Sequence, residues 1–193
     1  MTIICVKDGV VAADGSVWQC DGRILVSKTS RKLCRALDGA IAGAAGATMN
    51  TQRFREWFAG STAETRSSPP TFDKDAGFSA VWLDRGGEMW RLDWSGMVYR
   101  LEGQDVSAIG AAEEMALGAM YAGASAEQAV RICVERHDSA AGEVFVERLA
   151  PVEEPSVERQ PAGEAVAWDQ TERDARAAAQ KANEEWRERM GLA

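Results

Sequence analysis

The opening of this chain twice places an Asp-Gly turn between short apolar runs, and this spacing restricts it to β-hairpins. Ile3-Ile4-Cys5-Val6 and Val10-Val11-Ala12-Ala13 flank Lys7-Asp8-Gly9, and Asp14-Gly15 ends the second run. Leu37-Asp38-Gly39 then joins a run around Lys32 to Arg35 with another at Ala40 to Gly43. Asp-Gly supplies the positive φ that a tight hairpin needs, and runs this short fit buried strands better than helices. The pattern predicts a meander from the first residue onward.

Helical spacing begins at Thr48, where Phe54, Trp57 and Phe58 fall at i, i+3 and i+4 and Thr48 or Thr51 offers an N-cap. Residues 60 to 75 turn to Ser, Thr, Pro and charge, the composition of a surface loop. Strands return at Phe78 to Leu83 and at Trp90 to Trp94, with Gly86-Gly87 between them, and Trp82, Trp90 and Trp94 are expected to pack a sheet face. Ala111 to Ala122 is rich in helix formers, and Ser125-Ala126-Glu127-Gln128 is a capping box opening a second helix through Arg136. Glu143 to Leu149 alternates again as a strand. Short turns between most strands predict antiparallel sheets with helices on their outer faces.

Residues 1 to 149 therefore form the folded domain. Pro151, Pro155 and Pro161 among many glutamates mark 150 to 167 as a flexible acidic linker. Residues 168 to 193 read as a charged terminal helix with Trp168, Ala175, Ala179, Ala182, Trp186 and Met190 near one stripe. Because that stripe is mostly alanine, it reads equally as a solvated helix or as a docking helix for a partner. The segment after residue 149 carries ten acidic and six basic residues, half of the net charge of -8.

That charge, with a pI near 4.8 and no basic stripe, argues against a nucleic-acid partner. Neither a long apolar span nor a leader pattern is present, so a cytoplasmic protein without a membrane is expected. Cys5, Cys20, Cys34 and Cys133 lack metal or redox spacing and read as reduced thiols. His137 is the sole histidine, and no GxSxG elbow or P-loop accompanies it.

The chemistry concentrates at the front. Removal of Met1 would make Thr2 the first residue, joining in one residue a hydroxyl nucleophile and an amine able to deprotonate it. Asp14 and Lys32 follow in the same β-rich stretch.

Thr2-Ile3-Ile4, Asp8 to Asp14, Ser30-Arg31-Lys32-Leu33 and Ile41-Ala42-Gly43-Ala44-Ala45-Gly46 occur in an order that resembles the proteasome-like branch of N-terminal-nucleophile hydrolases. The resemblance is to the HslV peptidase and the shorter HslV-like proteins of phages, over residues 2 to 149. It extends to Ala108-Ile109-Gly110 before a helix and to Asp138 ahead of Gly142 and Val144. It implies an α+β, four-layer αββα sandwich with an extended C-terminal tail.

The same resemblance implies Thr2 as nucleophile, with its amine as base through a bridging water. Lys32 would be a buried lysine favouring the alkoxide, Asp14 its carboxylate partner, Gly46 a backbone donor to the oxyanion, and Asp138 a carboxylate steadying the N-terminal group. Threonine-type endopeptidase activity in a homo-oligomeric ring follows from it, on polypeptide substrate, with an ATP-dependent unfoldase as possible partner and no cofactor.

The chain departs from the pattern where Ala111, Ala112 and Ala141 replace relay serines, leaving Ser107 or Ser139 to substitute, and where Ile3 stands in place of a second threonine. A catalytically impaired or purely structural assembly protein, and a small-amide hydrolase of the same superfamily, are the alternatives.

Overall fold

The computed structural model describes residues 2–19 and 24–150. The expected linker, apart from Ala150, and the expected terminal helix lie outside them.

The first hairpin forms as its turn chemistry requires. Strands β1 (Ile3–Lys7) and β2 (Val10–Asp14) pair antiparallel around Asp8 and Gly9, both at positive φ. The chain then leaves this sheet, against the expected continuous meander. A separate two-stranded hairpin of β3 (Val17–Gln19) and β4 (Ile24–Ser27) intervenes. Neither strand carries a clear sequence signal, because each is only three or four residues long and Ile24 and Val26 face outward.

A five-stranded antiparallel meander follows: β5 (Leu33–Arg35), β6 (Ile41–Gly46), β7 (Phe78–Leu83), β8 (Met89–Asp93) and β9 (Val98–Arg100). Strands β10 (Val106–Gly110) and β11 (Val144–Arg148) return to the first sheet, giving the order β10-β1-β2-β11.

Three helices complete the layers. Helix α1 (Thr48–Ala59) covers the five-stranded sheet, burying Phe54 and Phe58 against Trp82, Phe78 and Leu92. Its N-cap is the extended Ala47 rather than Thr48 or Thr51, and an alanine there offers no side-chain cap. Helices α2 (Glu113–Tyr121) and α3 (Ala126–Arg136) cover the four-stranded sheet with Ala116, Met120, Ala129, Val130 and Cys133. The capping box predicted at Ser125 is formed with Gln128.

Between the sheets lie Ile4, Val6, Val11, Ile41, Val81 and Ile109, all fully buried. Each such side chain contributes about 1.5–3 kcal/mol by leaving water. The chain is thus an αββα sandwich. Of the three tryptophans expected on one face, Trp82 is buried and Trp90 stacks on it at 6.2 Å, while Trp94, just beyond the end of β8, is 56% exposed.

Free thiols occur at Cys5, Cys34 and Cys133. Burial pushes the Cys133 thiol up to about 11 and the Cys34 thiol up to about 12, so both stay protonated at neutral pH. No described helix is long and apolar enough to cross a membrane.

Candidate active site

The β1–β2 hairpin brings residue 2 beside the end of β2. Successive side chains alternate across a strand, so Ile4 and Ala13 face the inter-sheet core, while Asp14 closes β2 opposite Val144 of β11. Asp14 is nonetheless fully buried, and its two oxygens gather donors from four segments. Oδ1 accepts the Ile3 amide at 2.9 Å and the Lys32 ammonium at 2.6 Å. Oδ2 accepts the Ser16 amide at 3.2 Å, the Ser16 hydroxyl and the Ala141 amide at 3.5 Å.

The peptide joining Thr2 to Ile3 is pinned from both sides. Its N–H goes to Asp14, and its carbonyl accepts the Ala111 amide at 2.9 Å. Gly110, at φ +117, makes room for that carbonyl, since a Cβ would collide with it. Thr2 lines a cleft together with Ser16, Trp18, Ser30, Lys32 and Gly46.

Lys32 immediately precedes β5 and is buried. Burial pushes its ammonium below the ordinary value of 10.5, and the adjoining Asp14 carboxylate opposes that shift. The segment leading into Lys32 is seated by backbone contacts. The Lys28 carbonyl accepts the Glu143 amide at 2.8 Å and lies against Gly15 and Gly142, neither of which has space for a Cβ. The Ser30 amide reaches the Gly15 carbonyl at 2.9 Å.

Gly46 ends β6 at φ +122, with its Cα packed so closely on the Gly77 carbonyl that no side chain fits. Ala47 donates to that carbonyl at 2.8 Å, which makes Ala47 and Gly77 a hydrogen-bonded pair. Gly46 and Phe78 are then a non-hydrogen-bonded pair, so the Gly46 N–H points away from β7. Because β5 begins pairing only at Leu33, opposite Gly43, that N–H is not used by the ladder.

Thr2, Asp14, Lys32 and Gly46 are thus brought together. Asp138 is not among them: it is exposed in the loop after α3 and forms no hydrogen bond or ion pair to the other four. Ser107 pairs with Val6 at the far end of β1, and Ser139 donates its amide to His137 Nδ1, so neither supplies a hydroxyl to Asp14. That hydroxyl comes from Ser16, which also accepts the Trp18 indole N–H at 2.9 Å. Asp14-Gly15-Ser16 could have been read as a side-chain turn in which an Asp caps the amide two residues on.

No family model matches the sequence, and no curated protein matches it. Solved structures do. HslV from Trypanosoma brucei superposes with a TM-score of 0.56 at 20% identity, covering 76% of this chain and 97% of that one. BPH of Thiobacillus denitrificans in complex with epoxomicin gives 0.56 at 19%, covering 78% and 99%. BPH without epoxomicin gives 0.54 at 19%, covering 78% and 98%.

The chain has an HslV-like, proteasome-type fold. Within that fold the cleft lies where β1, β2, the β5 approach and the β6 end converge, and almost the whole of each HslV-like neighbour is spanned by this chain. Among the described residues no cluster of three or more His, Cys, Asp or Glu is placed to hold a metal.

Proposed function

We propose that this chain, once Met1 is removed, is a threonine-type endopeptidase. The observation that carries the reading is the pinned Thr2–Ile3 peptide, which shares Asp14 Oδ1 with the buried Lys32 ammonium. Free amine, hydroxyl and ammonium then converge on one cleft.

In the reaction, the Thr2 hydroxyl adds to the substrate carbonyl while its proton passes through water to the α-amine. Lys32 favours the developing alkoxide, and Asp14 keeps Lys32 charged against the cost of burial. The tetrahedral oxyanion takes the Gly46 N–H. Collapse expels the leaving amine with the proton held by the α-amine, leaving an ester on Thr2. Water activated by the same amine hydrolyses that ester and restores the hydroxyl. For Asp138 the reading rests on the resemblance alone.

A ring of copies enclosing the clefts would keep an exposed nucleophile from indiscriminate cleavage, and an ATP-dependent unfoldase would feed it. The acidic 150 to 167 segment as linker and 168 to 193 as a charged helix complete the proposed organisation in the cytoplasm.

Intact mass and peptide hydrolysis test the central claim together. Expected are loss of Met1 and turnover that disappears in Thr2→Ala; retained Met1 in an assembled protein rules it out. One observation favours a second reading, an impaired enzyme or assembly protein. Ala141 offers Asp14 only a long amide contact of 3.5 Å where the resemblance expects a hydroxyl nearby. Met1 loss without turnover on peptides or small amides would select that second reading.

A further inference from the structure

The helix beside the cleft presents a cation to it. Thr48, Thr51 and Arg55 lie at i, i+3 and i+7 of α1 and line the cleft, while Phe54 and Phe58 hold the helix to the sheet. Arg55 is half-buried, and its Nη1 donates to the Arg31 carbonyl at 2.6 Å, one residue before Lys32. That bond tethers the guanidinium at the cleft wall and leaves its other donors without a partner among the described residues.

No carboxylate lies within 4.0 Å of Arg55 among the described residues, and none lines the cleft. The other lining cation, Lys32, is neutralised by Asp14. Among the described residues the cleft therefore carries one uncompensated side-chain charge, positive and forked, with hydroxyls of Ser30, Thr48 and Thr51 around it. A guanidinium held this way is suited to a carboxylate, which it can meet with two parallel hydrogen bonds.

We infer that Arg55 makes the cleft selective for an acidic side chain beside the bond that is cut. This rests on the peptidase reading for the word "cut" and on the cleft alone for the charge preference. Among the described lining side chains Trp18 is the one aromatic, so a bulky apolar residue finds few partners there.

The test is calorimetric binding of two peptides that differ only by Glu against Gln, to the assembled wild type, to Thr2→Ala and to Arg55→Met. The Glu peptide should bind roughly tenfold more tightly to wild type and to Thr2→Ala, a charge-assisted bond being of that order. The advantage should vanish in Arg55→Met and shrink at high salt. Equal binding of the two peptides, binding of neither, or a preference that survives Arg55→Met overturns the inference. Cleavage of both peptides at equal efficiency would also sink it while leaving the peptidase reading intact. A Glu preference in binding with no cleavage of either peptide would keep the charge selectivity and remove the peptidase.

Discussion

Lys32 and Asp14, separated by 18 residues in sequence, form an ion pair in which the carboxylate is fully buried and the ammonium nearly so. Removing one partner of such a pair strands the other charge, whereas removing both relieves it. Lys32→Met and Asp14→Asn should each destabilise the protein by about 3–5 kcal/mol. The double variant should lose clearly less than the two losses combined, by urea unfolding. All three should lack peptide hydrolysis. Strict additivity in stability would show that the two charges are not coupled.

Ser16 holds the other Asp14 oxygen and is itself held by the Trp18 indole. On the peptidase reading it is a positioning residue, and Ser16→Ala should lower kcat roughly ten- to a hundredfold with little change in KM. Losing a donor concentrates negative charge on Asp14, which raises the Lys32 pKa and moves the alkaline limb of the pH profile upward. Ser16→Thr should recover most of the rate. An unmoved alkaline limb would mean that the hydroxyl only supports the fold.

Arg66 is buried and pairs through both guanidinium ends with Asp38 in the second Asp-Gly turn. That hydrogen bonding holds the Asp38 carboxyl below its ordinary value of 3.8. A lowered carboxylate contributes stability that is complete above the unfolded value and is lost as pH falls through the folded one. The wild type should thus lose, below pH 3.8, a stability increment that Asp38→Asn does not have to lose. The difference in urea midpoint between the two, large at pH 6, should narrow on acidification; a constant difference contradicts this.

Gly46 combines φ +122 with a carbonyl at its Cα. Gly46→Ala forces both a strained backbone and a collision, neither of which a flexible side chain can absorb. A fall of about 2–4 kcal/mol in stability is expected from overpacking and strain together. A variant of wild-type stability would mean that β6 and β7 part easily at this end.

What the sequence made legible follows from how local each signal is. The hairpin of β1 and β2, the Ser125 cap and the burial of Phe54 and Phe58 are encoded within a few residues, and they appear where spacing put them. The partition of strands between two sheets is not local. It depends on Ile4 and Ile41 meeting across the core, and on Gly43 leaving the space that Ile4 fills. Local turn signals therefore predict a meander where the chain changes sheet. At the site, Thr2, Asp14, Lys32 and Gly46 were legible through the resemblance in order and spacing. Ser16 was hidden because DGS reads as an ordinary turn, and Arg55 because a basic residue on an amphipathic helix reads as solvated surface. Asp138, exposed after α3, has no hydrogen bond to the other four, and its place rests on order along the chain alone.

The Lys28 carbonyl, seated between two glycines, gives the chain a fixed station at which it re-enters the site four residues before Lys32. The far strand of the β3–β4 excursion thus ends at a fixed anchor, while its near strand reaches Asp14 through Trp18 and Ser16. Sequence drift in β4 can reshape the rim of the cleft while the ammonium stays in place, whereas a change at Trp18 touches recognition and reactivity together.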